Sequence, residues 1–288
     1  MELEISRHYA TAYETIVRAL DEFLAPYKLA NGSIDFELLR LDMAVKHTLN
    51  HTIARHQKLL SLIDKISEDL GKQEILTLEN LLMDTYKTNY YENLYRIEKS
   101  MRYKMDFSLL SQQRLKQVIH TKWAKDGREF SSRIWRDKRH LNREVRRLIN
   151  DSIATGKSPL QTAQALQQTT QNTLYNCKRL ARTETCAILS ESDNASYAEA
   201  GITKYQILST FDAKTSDICQ KQDGKIYETD KQTIGTNAPP FHPNCRTTTT
   251  PYFEVAEELR FARDFKGNKV RVPRNMTYQE FKRAHSIV

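Results

Sequence analysis

The stretch PPFHPNCRTTT, residues 239–249, places a His and a Cys three positions apart between three prolines, in a chain with four cysteines. Three readings are open: half of a metal site, a nucleophile with its base, or a rigid turn. The surrounding residues frame the choice. KYQILST, 204–210, alternates and carries strand formers, and RTTTTPYF, 246–253, is β-rich and able to pair with it. Asp223-Gly224 ahead of Lys225-Ile226-Tyr227 is a hairpin signal. Residues 204–253 therefore read as a small antiparallel β module, and a sheet of that size is marginal without a staple.

Cys219, His242 and Cys245 are candidates for that staple. The H-x2-C end has ligand-pair spacing, because two ligands on one turn reach one tetrahedral ion. A closed structural zinc site needs four ligands, and the module holds no fourth Cys or His. Asp212, Asp217 or Asp223 could supply an oxygen, or Cys219 and Cys245 could simply pack together. A catalytic Cys needs a base and an orienting group in space, which the prolines do not supply. His242 and Asn244 prompt a check against His-Asn-His nucleases. That chemistry wants further ligands downstream, where the one later His is His285.

The preceding chain reads as helix. Ile5, Tyr9, Ala12, Ile16, Leu20 and Phe23 keep helical spacing up to Pro26. Ser33 is placed to cap a second helix running to Leu70, with Gly71 in the position of a C-terminal glycine. A third runs from about Glu74 to Tyr103. Gly156 ends one helix, Ser158 caps the next and Pro159 takes its first position. LYNCKRLARTETCAILSESDNASYAEAG, 174–201, is helical to Gly201, with Cys177 and Cys186 on opposite faces as small buried apolar residues. Beyond the module, a short helix is expected over about 254–263, then a capping-like Thr277-Tyr278-Gln279-Glu280.

Charge is concentrated in one place. Residues 101–150 hold fourteen Lys and Arg against five Asp and Glu, although the whole chain nets only +8. In SRIWRDKRHLNREVRRLIN, 132–150, Ile134, Leu141, Val145 and Leu148 fall on one helix face, and Arg136, Arg139, Arg143, Arg146 and Arg147 on the other. The arginine face is either a solvated surface, a phosphate-backbone contact, or a dock for an acidic partner. Nothing in it reads base sequence. The low Gly and Pro counts, 8 and 7, suit long helices. No window approaches a membrane span, and MELEISRHYA lacks a signal-peptide layout, so a cytoplasmic site of manufacture with reduced thiols is expected.

From TFDAKTSDICQKQDGKIYE to APPFHPNCRTTT the chain resembles the C-terminal module of phage minor head proteins, the head morphogenesis proteins of the Mu F and SPP1 kind. The matching positions are Asp212, Cys219, Asp223, Gly224, Pro239, Pro240, His242, Pro243, Asn244, Cys245 and Arg246. FSSRIWRDKRHLNREVRRLINDSIATGKSP and ARTETCAILSESDNASYAEAGI are similar to that family's middle helices, and PRNMTYQEF to its ending, so the resemblance spans roughly 130–285. Ser216 and Thr247 stand where many relatives carry further cysteines, so two ligands are missing and bound zinc is less expected. The resemblance implies a non-enzymatic role in head morphogenesis: a virion head component assembled in host cytoplasm, docked on the portal protein, in contact with other capsid proteins and with genomic DNA. The alternatives are a general nucleic-acid-binding protein with a zinc-ribbon-like module, or a metal-dependent nuclease. With about 40 residues after Cys245, no effector domain of the kind some relatives bear is expected.

The expected architecture is α+β, a mostly α-helical elongated body with a small C-terminal antiparallel β module. Its parts are a helical 1–105, a basic helical 106–203, the module at 204–253, and a helix and tail at 254–288.

Overall fold

Ile5, Tyr9, Ala12, Ile16, Leu20 and Phe23 recur at three- and four-residue steps, and all are buried along helix α1, Glu2–Leu24. This computed structural model describes residues 2–45, 51–101, 104–253, 259–263, 268–273, 276–277, 280 and 283–284. A 3-10 turn with Pro26 ends α1. Helix α2, Phe36–Ala44, begins two residues later than a cap at Ser33 predicts. Asp35 caps it, accepting from the Leu38 N–H at 2.9 Å, whereas Ser33 folds back on Asn31 at 2.7 Å.

Helix α3 runs unbroken over His51–Met101, where the sequence predicts two helices parted at Gly71. Gly71 is inside the helix, and the indole of Trp135 occupies the space its side chain would take. A Cβ there would fall 2.6 Å from Trp135 Cζ3. The glycine is a packing residue and not a helix end. Helix α4 is Gln112–Ile119, α5 is Phe130–Thr155 and α6 is Pro159–Glu199. Gly156, at φ +73°, turns α5 into α6. Ser158 and Gln161 form the expected capping box: Ser158 Oγ accepts from the Gln161 N–H at 3.2 Å, and Gln161 Oε1 from the Ser158 N–H at 3.0 Å.

The chain divides into two units, each built from separate stretches. The first joins Met1–Leu78 to Ser131–Lys178, the second Glu79–Phe130 to Arg179–Val288. The first unit is built on helices. Its core gathers the α1 stripe, Leu39, Leu59, Ile63, Leu70, Leu141, Val145, Ile149 and Cys177. Inside it lies a polar triad: Lys138 Nζ bonds both Tyr9 Oη and Glu74 Oε1, Tyr9 Oη donates to Glu74 at 2.5 Å, and the ammonium sits 4.4 Å from the Tyr9 ring centre. Lys138 is 2% exposed, and among the described residues its charge is met by this carboxylate, hydroxyl and ring. Burial, then the Glu74 carboxylate, push the Tyr9 hydroxyl well above its ordinary pKa.

The second unit holds the sheet. Strand β1, Lys204–Leu208, lies between β2, Ile226–Glu228, and β3, Thr248–Pro251, both antiparallel to it. The β1–β3 pairing is the one KYQILST and RTTTT predict. The Asp223-Gly224 hairpin is not formed. A short helix α7, Asp217–Gln222, precedes the pair, Asp223 is its C-cap, and Gly224 at φ +77° leads into β2. In place of a helix near 254–263, β4, Leu259–Arg263, pairs antiparallel with β5, Lys269–Pro273. Alternation in KVRVP governs this pairing: Val272 and Ala262 are buried and Val270 is partly buried, around Phe211. Residues 254–258 and His285 lie outside the described residues. Thr277 and Glu280 make the predicted box, the Thr277 N–H donating to Glu280 at 2.7 Å. The fold is α+β and mostly helical.

Lys138→Met strands Glu74 in the core and is expected to cost about 3–5 kcal/mol in urea unfolding, with Lys138→Met/Glu74→Leu recovering most of the loss. Gly71→Ala gains roughly 1 kcal/mol of helix propensity but meets the Trp135 ring. It is expected to lower the melting temperature, and a Trp135→Leu background to remove or reverse the drop.

Candidate functional site

Helix α6 faces the sheet with Thr183, Cys186, Ser190, Asp193 and Tyr197, all buried and spaced three and four apart. Each supplies a bond or contact to the module. The Asn244 N–H donates to Thr183 Oγ1 at 3.1 Å, and the Cys186 thiol to the Thr247 carbonyl at 3.7 Å. Gln232 Nε2 donates to the Ser190 carbonyl at 3.3 Å. Thr249 Oγ1 donates to Asp193 Oδ2 at 3.0 Å and stands 3.4 Å from the Tyr197 hydroxyl. On its other oxygen Asp193 accepts from Asn89 and Asn93 of α3, each at 2.7 Å. Burial outweighs these three donors and raises the Asp193 carboxyl above its ordinary pKa.

The proline-rich turn ahead of β3 places its His and Cys on this framework. Pro239 and Pro240 are buried, with a cis peptide bond between them. Asn244 takes φ +60°, a left-handed conformation Asn tolerates, and its Oδ1 is buried with no hydrogen-bond partner among the described residues. Cys219, from the first turns of α7, meets both predicted partners: its Sγ is 3.2 Å from His242 Nε2 and 3.6 Å from Cys245 Sγ. The donor atoms of these three residues all lie within 4.8 Å of one another. His242 Nδ1 is 2.8 Å from the Pro243 carbonyl, which can only accept. Nδ1 therefore carries the proton, and Nε2 presents its lone pair to the cluster.

Cys186 completes the buried cluster with Cys219, Cys245 and the ring of Phe241. Reading it only as a small apolar residue missed this, because the third thiol comes from the helix and not from the module. Its helical spacing with Thr183, Ser190 and Asp193 was the available signal. S–H bonds from Cys186 and Cys219 hold Cys245 below the usual thiol range, while the same interaction, with burial, pushes Cys186 and Cys219 up. Cys177 is in the other unit's core, pushed up by burial and Glu74.

The remaining motif residues brace the knot. Asp212 and Arg246 form a two-pronged ion pair at 2.5 and 2.7 Å, which holds the Asp212 carboxyl below its ordinary range. Asp223 Oδ1 accepts from the buried Ser209 N–H at 2.8 Å, and Ser209 Oγ donates to the Cys219 carbonyl at 2.8 Å. The Gly224 N–H donates to the Ile207 carbonyl at 3.0 Å. Asp212 and Asp223 are thus committed elsewhere, and Asp217 is exposed. A cavity of about 30 Å³ opens beside Cys219, His242 and Asn244, room for an ion or a water and too little for a substrate.

The arginine face is on α5 in the first unit. Arg146 pairs with Asp64 at 2.6 Å, Arg147 with Glu144 and Asp151 at 2.9 and 2.8 Å, and Arg136 with its neighbour Asp137 at 3.5 Å. Arg139 and Arg143 are exposed and close no ion pair among the described residues. They border a cavity of about 320 Å³ together with Trp135, Asp64 and Glu68.

Fold and site together define a helical protein carrying a small antiparallel sheet knotted to one of its helices by thiols and an imidazole. Residues 143–250 match the family described as Phage Mu protein F like protein, from within α5 to strand β3. The matched stretch takes in the HPNCR turn, whose resemblance to phage head morphogenesis proteins points the same way. It is also 24% identical over 222 residues to the NAD(+)-arginine ADP-ribosyltransferase EFV of Enterococcus faecalis (strain ATCC 700802 / V583), an alignment covering 71% of this chain and 45% of that protein. The chain thus spans less than half the length of this curated relative. No solved structure matches.

Asp193→Ala leaves Asn89, Asn93 and Thr249 without an acceptor and is expected to cost on the order of 3 kcal/mol by urea unfolding. Because the folded carboxyl holds its proton more tightly than the unfolded one, the stability it contributes is greatest at acid pH. That stability falls as pH rises from the ordinary carboxylate range through the raised pKa. Asp193→Asn should flatten this slope in a stability-versus-pH series.

Proposed function

We propose that this chain is a non-enzymatic component of the phage head that docks on the portal protein through the α5 face around Arg139 and Arg143. The match of residues 143–250 to the Mu F-like family carries the reading, since it takes in the C-terminal part of α5, all of α6 and the knotted sheet. Two features support a structural role over hydrolysis. His242 is oriented by a backbone carbonyl and not by a carboxylate, and the adjoining cavity is of ion or water size. An ADP-ribosyltransferase activity belongs to the longer relative and is not part of this proposal.

The charge pattern favours a protein partner over DNA. Asp64, Glu144 and Asp151 already neutralise Arg146 and Arg147, and Asp64 and Glu68 line the same cavity as the two open arginines. Carboxylates at the rim repel a phosphate backbone, whereas mixed charge around an apolar hollow suits a protein surface with its own acidic groups. Any contact with DNA should be non-specific and salt-sensitive. No helix among the described residues is long and apolar enough to cross a membrane; assembly in the host cytoplasm followed by residence in the head is part of the proposal.

Arg139→Glu/Arg143→Glu should reduce capture by immobilised portal protein of the same phage about tenfold, with the melting temperature unchanged. Undiminished capture, or a loss confined to DNA retention, would count against the portal dock.

A further inference from the structure

We propose that Cys186, Cys219, His242 and Cys245 together hold one zinc ion, with Cys186 of α6 as the fourth ligand. This does not rest on the portal reading. Three soft sulfurs and one imidazole nitrogen are a donor set for structural zinc, which is bound by four tetrahedral protein ligands. Two edges of the donor polyhedron are already present. Sulfurs on a shared zinc, each about 2.3 Å from it, stand roughly 3.8 Å apart, and a sulfur–nitrogen edge spans roughly 3.5 Å. Cys219 to Cys245 is 3.6 Å and Cys219 to His242 Nε2 is 3.2 Å. The imidazole is in the ligating tautomer, its other nitrogen tied to the Pro243 carbonyl in the manner of an outer-shell partner.

The fourth position decides what kind of site this is. Asp212 and Asp223 are engaged with Arg246 and Ser209, so neither offers an oxygen. A water in the 30 Å³ cavity would leave an open, catalytic-type site. Cys186 is the better candidate. It is buried against Cys219 and Cys245, and its thiol bonds Cys245 besides a long 3.7 Å contact to the Thr247 carbonyl. Ligation asks the sulfur to give up that carbonyl and to join the donors beside which it is already buried. A metal so held clasps α6 to α7 and to the HPNCR turn. In this way the helix supplies a thiolate that a module with Ser216 and Thr247 lacks.

The test uses the full chain stripped of metal under reducing conditions and titrated with Co(II), then with Zn(II). The expected result is one equivalent of Co(II) with tetrahedral visible bands and strong sulfur-to-metal charge transfer. That charge transfer should lose about one third of its intensity in Cys186→Ser and none in the control Cys177→Ser. Zinc should displace the cobalt stoichiometrically. Should Cys186→Ser not fold, zinc-edge absorption fine structure of the unaltered protein counts the ligands directly, with three sulfurs and one nitrogen expected. No stoichiometric binding, an undiminished Cys186→Ser spectrum, or two sulfurs with added light donors would each overturn the proposal.

Discussion

The sheet depends on one stripe of helix α6. Its three strands run five, three and four residues, too little to bury a core of their own. Thr183, Cys186, Ser190, Asp193 and Tyr197 supply what is missing, through a hydrogen bond or contact from each to the module. Behind them Asn89 and Asn93 hold the Asp193 carboxylate from α3, so the acceptor for Thr249 is fixed in place. Such a polar seam is costly if broken, since its five members on α6 and Thr249 are buried, and that cost specifies one register of sheet on helix.

The cysteines and histidine extend the same seam. Cys186 belongs to both, as a member of the stripe and a neighbour of Cys219 and Cys245. Asp212–Arg246 and Asp223–Ser209 hold the loops that present Cys219 and Cys245, so the aspartates that look like extra ligands in the sequence serve as braces. The first unit handles its buried polarity differently. Lys138, Glu74 and Tyr9 satisfy one another within a largely apolar core.

Much of this was legible in the sequence. The α1 stripe and the Ile134, Leu141 and Val145 face of α5 are apolar at helical spacing, and burial follows that pattern. The β1–β3 pair and the meeting of Cys219, His242 and Cys245 also follow from composition and spacing. What stayed hidden depends on contacts distant in sequence. Gly71 looks like a helix end until Trp135 is packed against it, 64 positions away. Asp223-Gly224 looks like a hairpin because its local chemistry is the same as that of a helix-to-strand turn. The α6 stripe is mostly polar, so a search for apolar periodicity passes over it. The arginine face is real as a pattern, yet Asp64 from α3 cancels part of it.

Native-state hydrogen exchange tests the dependence of the sheet on α6 most directly. If the stripe carries the module, amides of Ile207 in β1 and Thr249 in β3 open with the same free energy as amides of 183–197 in α6, and Asp193→Ala lowers all of them together. Sheet amides that open at a separate, lower free energy, untouched by Asp193→Ala, would contradict the account.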